Sequence, residues 1–323
     1  MQTSNYTGVI LAAGRGTRMA PFNDDFPKAM LPICNKPLIQ YQIETMRGLG
    51  ILDIVVLVGH KGFEIAKVLG DGSKFGVTLR YVEQTTMLGI AHAVGRLESH
   101  IHRPFLLFLG DIYFVPGDLA GMFRMFEEQG GGAVLATKEE HDPAAIRRNY
   151  SITLGADGYV TRVIEKPRYT SNRIKGVGLY LFDLTIFDAI RRTPRTAMRD
   201  EYEITDAIQV MVDDGHRVRA AYSILDDINL TSPTDLLHCN LLLAGQLPQE
   251  QLVGQRLSAH PQARIHNSII GANVTIANAI EISNSVVLDN SMIDSVTDFD
   301  HCIITPQRIV DCKYGTELAR AGK

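Results

Sequence analysis

The chain has 323 residues, 45% hydrophobic and 21% charged, with a formal net charge of −4. That is enough for one large α/β domain plus a smaller unit, and the slight acidity argues against a nucleic-acid-binding surface. Four scattered cysteines without a CxxC pair indicate neither a zinc site nor a disulfide framework. The first residues lack a basic segment and a long apolar one, and no apolar run reaches membrane-spanning length. A cytoplasmic protein is expected.

Val9–Ala12 reads as a buried strand opening into a turn with Gly14 and Gly16, followed at short range by Arg18 and Lys28. Glycines let backbone N–H groups approach a phosphate, and two cations can neutralise a polyphosphate. A dinucleotide turn would need glycine where Met19 stands, and no P-loop pattern is present. The plain alternative is a tight turn with solvated cations. Leu38–Leu49 is amphipathic and helical, Ile51–Val58 is strand-like, Phe63–Leu69 helical and Val77–Val82 a strand. Ile90–Leu97 is helical, and Phe105–Leu109 is a buried strand ending at Gly110-Asp111. The alternation predicts a Rossmann-like α/β fold with a mixed, mainly parallel sheet and ligands at the carboxyl ends of its strands. Taken alone, Asp111 is equally a turn or cap residue.

Further strands are expected at Ala133–Thr137, Tyr159–Glu165 and Gly178–Phe182, and helices at Thr185–Arg191, Ile204–Asp213 and Pro233–Ala244. Residues 1–244 form one domain in this reading, and 245–262 form a linker. Beyond it Ile270, Ile276, Ile282 and Leu288 recur every six residues, as do Val274, Ile280, Val286 and Met292. Small or polar residues such as Gly271, Asn273, Asn278 and Asn284 stand between them. This hexapeptide period predicts a short left-handed parallel β-helix over 263–323, with Asp294, Asp298 and Asp300 interrupting it. Two or three coils suit stacking or oligomerisation. An acyltransferase site would need a longer β-helix.

Leu11-Ala12-Ala13-Gly14-Arg15-Gly16-Thr17-Arg18-Met19, Phe26-Pro27-Lys28-Ala29-Met30-Leu31-Pro32 and Lys36-Pro37-Leu38 resemble the signature of sugar-1-phosphate nucleotidylyltransferases. The resemblance continues in order through Gln84 and Leu88-Gly89-Ile90-Ala91-His92-Ala93, Gly110-Asp111, Glu165-Lys166-Pro167 and Gly178-Leu179-Tyr180. Glu203-Ile204-Thr205-Asp206-Ala207 and Asp227-Ile228-Asn229 with Asp235-Leu236-Leu237 complete it. Six ordered blocks make it specific, and the terminal repeats resemble those of long-type thymidylyltransferases and uridylyltransferases.

The resemblance implies that a nucleoside triphosphate and a sugar-1-phosphate give an NDP-sugar and pyrophosphate, a reaction driven by positioning and charge neutralisation. Leu11, Ala12, Ala13, Gly14, Gly16 and Thr17 would hold the nucleotide, Arg18 the departing pyrophosphate and Lys28 the α-phosphate region. Gln84 and Gly89 would read the base. A glutamine amide matches the O4 and N3–H edge of uracil or thymine, so dTTP or UTP is favoured. Asp111 and Asp227 would hold Mg²⁺, which takes one or two carboxylates plus phosphate oxygens. Glu165 would bind sugar hydroxyls and Lys166 the sugar phosphate, with Tyr150, Ser151, Gly176 and Val177 beside them. Glucose-1-phosphate is the favoured acceptor, and a homo-oligomer without nucleic acid or membrane partners is expected. Ile90, Ser151, Gly176, Val177 and the lengthened turn Asn229–Pro233 depart from the family's usual pattern. A catalytically inactive, nucleotide-sugar-binding regulatory relative is the second reading. A bifunctional acyltransferase is the third.

Overall fold

The computed structural model describes residues 5–22, 26–170, 172–197, 199–248 and 252–318. Strand β1 (Thr7–Ala12) opens the chain, and a loop carries the short strands β2 (Pro32–Ile33) and β3 (Lys36–Pro37). Helix α1 (Leu38–Gly48), β4 (Asp53–Val58), α2 (Gly62–Leu69), β5 (Thr78–Glu83), α3 (Ile90–Gly95) and β6 (Phe105–Leu109) alternate after it. Then come β7 (Ile112–Pro116), α4 (Leu119–Gln129), β8 (Ala133–Glu139), α5 (Pro143–Arg148), β9 (Tyr150–Leu154), β10 (Val160–Glu165) and β11 (Ile174–Phe182). Helices α6 (Thr185–Arg192) and α7 (Ile204–Asp213), strands β12 (Val218–Tyr222) and β13 (Ile224–Asn229), and helix α8 (Pro233–Ala244) follow.

The chain divides into two compact units, and the division differs from the expected boundary at 244. The first comprises the chain up to Arg15 with Gln42–Asp227; the second comprises Gly16–Tyr41 with the chain from Ile228 onward. The first unit is built on a nine-stranded sheet in which β5, β4, β1 and β6 lie side by side and parallel. Their apolar, β-branched sequences suit strands covered on both faces: Ile54–Leu57 and Phe105–Leu107 are fully buried. β11 then runs antiparallel to β6, which makes the sheet mixed.

β11 is where the sheet forks. Its last residues, Leu179–Phe182, pair with β6, while Lys175 and Gly176 pair with Ser151 and Tyr150 of β9. On its other edge β8 runs along both halves, with a register shift between Gly176 and Tyr180, and β12 pairs parallel to β8. The core joins Val55, Leu57, Phe105, Leu107, Tyr180 and Phe182 to Ile186, Phe187, Ile204 and Ile208 of α6 and α7.

In the second unit α8 packs on β2, and Asn240 of α8 is fully buried. Its Oδ1 accepts from Cys34 N (2.7 Å) and its Nδ2 donates to Pro32 O (3.0 Å), while Asn35 Nδ2 donates to Ile270 O (3.0 Å). These bonds hold the loop after Gly16 in the C-terminal unit. A Ser232–Asp235 capping box and Pro233 in its first turn start α8.

Beyond α8 lie β14 (Ser258–Ala259), β15 (Arg264–His266), β16 (Ile269–Ile270), β17 (Thr275–Ile276), β18 (Glu281–Ser283) and β19 (Val286–Val287). β20 (Met292–Ile293), β21 (Phe299–Asp300), β22 (Cys302–Ile304), β23 (Ile309–Asp311) and β24 (Thr316–Leu318) complete the chain. They form three sheets with parallel ladders β14-β17-β20, β15-β18-β21 and β16-β19-β22; β23 and β24 extend the last one antiparallel. Bonded neighbours in successive rungs are 17 residues apart, as in Asn267 to Asn284 and Asn273 to Asn290. The six-residue period therefore holds along two sides and shortens on the third. Ile270, Ile276 and Ile282 are buried as expected, and Val287 takes the next core position ahead of Leu288. Likewise Ile293 is buried, while Met292, expected inside, is 61% exposed. The aspartates that interrupt the period bind the rung before: Asp298 Oδ1 accepts from Glu281 N and Asp300 Oδ1 from Ser283 and Asn284. The stretch expected as a linker already contributes to the stack, since Ser258–Ala259 pairs with Thr275–Ile276 and Val253 bridges Ile270. Residues 249–251 of it lie outside the described residues.

Candidate active site

The four parallel strands end on one edge, because Ala12 is level with Val58, Val58 with Glu83, and Leu11 with Leu109. Two glycines let the following loops close on β1. A Cβ on Gly59 would meet Ala13 O at 2.7 Å, and one on Gly110 would meet Leu11 O at 2.6 Å. At this edge opens a cavity of about 820 Å³, lined by Arg15, Gly59, Lys61, Gln84, Thr86 and Met87 among others. Ligands gather at such carboxyl edges.

Gln84 is 5% exposed. Its Nε2 donates to Thr86 O (3.0 Å) and lies 3.1 Å from His92 Nδ1. A carbonyl can only accept, so the amide nitrogen is identified by Thr86 and Oε1 remains for a ligand. Burial, with help from Arg96, holds the His92 imidazole below its usual pKa. Gly89 has φ +104°, and a Cβ there would meet Tyr202 O at 2.5 Å. The backbone bonds Tyr202 N to Leu88 O (2.7 Å) and Ala91 N to Tyr202 O (3.0 Å) explain that closeness. They tie the Leu88-Gly89 block to the segment before Glu203.

Asp111 sits half-buried in the turn after β6. Gln42 of α1, 2% exposed, donates its Nε2 to Leu109 O (2.9 Å) and Ile112 O (3.0 Å), so one carboxamide spans that turn. Its own Oε1 is buried without a hydrogen-bond partner.

Glu165 ends β10, and Lys166 follows with φ +42°, its N–H donating to Asn149 O (2.7 Å). Arg199 NH1 lies 3.4 Å from Glu165 and donates to Glu203 Oε1 at 2.7 Å, while Lys166 Nζ is 3.8 Å from Glu165. Burial raises the pKa of Glu165, partly offset by Lys166 and Arg199. Burial and the neighbouring Glu165 raise that of Glu203. The Glu165-Lys166 and Glu203–Thr205 blocks are thus brought together through Arg199. Tyr150, Ser151, Gly176 and Val177 are all buried at the β11 fork. Tyr150 lies across Gly176, where a Cβ would come within 1.9 Å of the ring, and its hydroxyl donates to Val177 O (3.2 Å).

The second unit carries Gly16, Thr17, Arg18 and Lys28; Leu11, Ala12, Ala13 and Gly14 belong to the first. Gly16 is left-handed (φ +63°), and the Lys28 side chain passes 3.4–3.5 Å from where its Cβ would be. Arg18 is exposed in the short helical turn Thr17–Met19.

Asp227 has surroundings unlike those of an open metal ligand. Lys175 Nζ donates to both its oxygens at 2.8 Å, and Lys138 Nζ lies 3.4 Å away. Lys138 also donates to Asp226 (2.6 Å) and faces Glu140 (3.4 Å). Burial opposes the Lys138 charge, but Asp226 and Asp227 outweigh it and hold its pKa well above the usual value. Sequence reasoning missed His92, Gln42, Arg199, Lys138 and Lys175. Only His92 stood inside a quoted block.

A parallel block with a cavity at the carboxyl edge of its strands is the architecture of a ligand-binding α/β protein. Residues 7–227 match the nucleotidyl transferase family, and the chain belongs to that family. It is 35% identical over 239 residues to the low-salt glycan biosynthesis nucleotidyltransferase Agl11 of Haloferax volcanii, a match covering 73% of this chain and 65% of that protein. It is 32% identical over 289 residues to a glucose-1-phosphate thymidylyltransferase of Streptomyces griseus, covering 84% of this chain and 79% of that one. A Bacillus anthracis structure assigned as a glucose-1-phosphate thymidylyltransferase, in complex with sucrose, superposes with a TM-score of 0.65 at 26% identity. That match covers 73% of this chain and 94% of the other. Among the described residues, no helix is long and apolar enough to cross a membrane.

Proposed function

We infer that this chain is a sugar-1-phosphate nucleotidyltransferase, joining a pyrimidine nucleoside triphosphate to a hexose-1-phosphate with release of pyrophosphate. dTTP or UTP and glucose-1-phosphate are the favoured pair. The observation that carries this reading is the cavity at the carboxyl edge of β1, β4 and β5, with Gln84 in its wall. An oxygen of the sugar phosphate attacks the α-phosphorus, the bond to the bridging oxygen of the β-phosphate breaks, and pyrophosphate leaves with the electron pair.

In this reading Gly14, Gly16 and Thr17 hold the triphosphate by their backbone. Arg18 neutralises the leaving pyrophosphate and Lys28 the α-phosphate. Lys166 holds the acceptor phosphate and Glu165 accepts from sugar hydroxyls. Tyr150, Ser151, Gly176 and Val177 shape the sugar side through backbone and ring. Mg²⁺ supplies charge neutralisation at the phosphates when bound. Asp111, in an accessible turn, suits a cation whose other ligands are phosphate oxygens and water. The 17-residue rungs support a short left-handed parallel β-helix, with stacking into a homo-oligomer as its role. The inactive-relative reading is disfavoured because Arg18, Lys28, Asp111 and Lys166 are all present.

The test is pyrophosphate release across a matrix of nucleoside triphosphates and hexose-1-phosphates. Turnover is expected with dTTP or UTP plus glucose-1-phosphate. No turnover in any combination, from protein shown to be folded, overturns the reading.

A further inference from the structure

We propose that in this chain Asp227 is the fixed counter-ion of Lys175 and not a metal ligand, so that the protein engages its divalent cation through Asp111 alone. The proposal rests on the assignment of Asp111 above, and the geometry at Asp227 carries it. Both carboxylate oxygens accept from the same ammonium at 2.8 Å, and the Asp227 side chain has no solvent exposure. Mg²⁺ demands oxygen ligands at roughly 2.0–2.1 Å in a near-octahedral shell and gives up its waters reluctantly. An enclosed carboxylate already covered by an ammonium leaves no room for a cation with its shell of waters.

Charge points the same way. Two ammoniums, Lys138 and Lys175, face three carboxylates, Asp226, Asp227 and Glu140. A dication at Asp227 would turn this cluster from net negative to net positive, and would have to displace Lys175 from the carboxylate it faces. Lys175 is itself only 4% exposed, and a buried ammonium stripped of its partner is strongly unfavourable. Lys175 is fixed by its backbone as well, because β11 is held between Lys138 of β8 and Ser151 of β9 at that rung. The Asp227–Lys175 pair is therefore matched in charge as folded, and the remaining negative charge of the cluster lies at the more exposed Asp226. Nothing in it asks for a metal.

The test is calorimetric titration of the full chain with UTP, and with dTTP, in the absence and presence of saturating Mn²⁺. The readout is the fold-gain in nucleotide affinity that Mn²⁺ confers, compared between wild type, Asp227→Asn and Asp111→Asn. Asp227→Asn is expected to keep that gain within threefold of wild type, and Asp111→Asn to reduce it more than tenfold. If Asp227→Asn unfolds the cluster, the doubly neutral D227N/K175M carries the same expectation, with circular dichroism confirming the fold. A loss of more than threefold in folded D227N or D227N/K175M overturns the proposal. Retention of the gain in Asp111→Asn overturns it by removing the single ligand it relies on. The reading of the reaction is judged separately, by turnover of wild type in the substrate matrix.

Discussion

Thr86 O and His92 Nδ1 together hold the amide nitrogen of Gln84, and so set which end of it faces a ligand. The contact of 3.1 Å requires His92 Nδ1 to accept, which places the imidazole proton on Nε2, and the depressed His92 pKa keeps the ring neutral. With Nε2 engaged by Thr86 O and His92, Oε1 is the acceptor left open, and in the proposed reading it is the atom that meets the base. Uracil and thymine carry a donor at N3, and cytosine carries an acceptor there. His92→Phe keeps the ring's bulk and removes the acceptor. A hydrogen bond contributes about 0.5–1.5 kcal/mol, so the KM for UTP or dTTP should rise roughly three- to tenfold. The kcat should change little, and discrimination against CTP should relax. His92→Asn, which can present an acceptor, should recover part of the loss. Steady-state kinetics with UTP, dTTP and CTP check this, and an unchanged KM in His92→Phe would exclude the orienting role. Gln84 was singled out because it stands in a block of the family resemblance. His92 and Gln42 were not, since a single polar residue on a helix gives no sign of which backbone or side chain it will meet.

At the scale of the element, β11 shows why strand recognition and strand function part company. Gly178–Phe182 reads as a buried strand, and those residues do pair with β6. The strand begins four residues earlier, at Ile174, and takes in Lys175 and Gly176. Both fit only because of partners distant in sequence: Lys175 has Asp227, and Gly176 lies under Tyr150. A Cβ at Gly176 would stand 1.9 Å from the Tyr150 ring, a clash the ring can relieve only by leaving its stack with Tyr180. Overpacking of this kind typically costs 1–3 kcal/mol or more. Gly176→Ala should therefore lower the urea midpoint by an amount corresponding to at least about 1 kcal/mol, and should raise the KM for the sugar phosphate more than that for the nucleotide. Urea unfolding and two-substrate kinetics measure both. The same limit applies to the repeats. Six-residue spacing was legible, but the shortening to a 17-residue turn of chain was not, because Val287 and Leu288 are equally apolar and only the rung geometry chooses between them.

At the scale of the whole molecule, the sequence suggests a nucleotide domain ending at 244, whereas the chain divides into two units, the second of which takes in a segment inserted in the first. Contiguity in sequence hides this, since the loop Gly16–Tyr41 interrupts the first unit and belongs to the second. Its anchor is Asn240, fully buried on α8, whose one carboxamide serves Cys34 N, Pro32 O and Leu236 O. Asn240→Leu keeps the volume and removes every one of those bonds. It leaves the Cys34 N–H without its side-chain acceptor, and an unsatisfied buried donor costs about 1–3 kcal/mol. The loop also carries Arg18 and Lys28. If those cations hold the triphosphate as proposed, Asn240→Leu should lower the Tm by several degrees and raise the KM for the nucleoside triphosphate at least fivefold. The KM for the sugar-1-phosphate should stay within twofold. Asn240→Asp keeps an acceptor for Cys34 N but sets a buried carboxylate oxygen against Pro32 O and Leu236 O, so it should lower the Tm at least as much as Asn240→Leu. Equal losses for both substrates in Asn240→Leu would mean that the loop serves folding alone. Arg18 and Lys28 would then have to be tested by their own substitution.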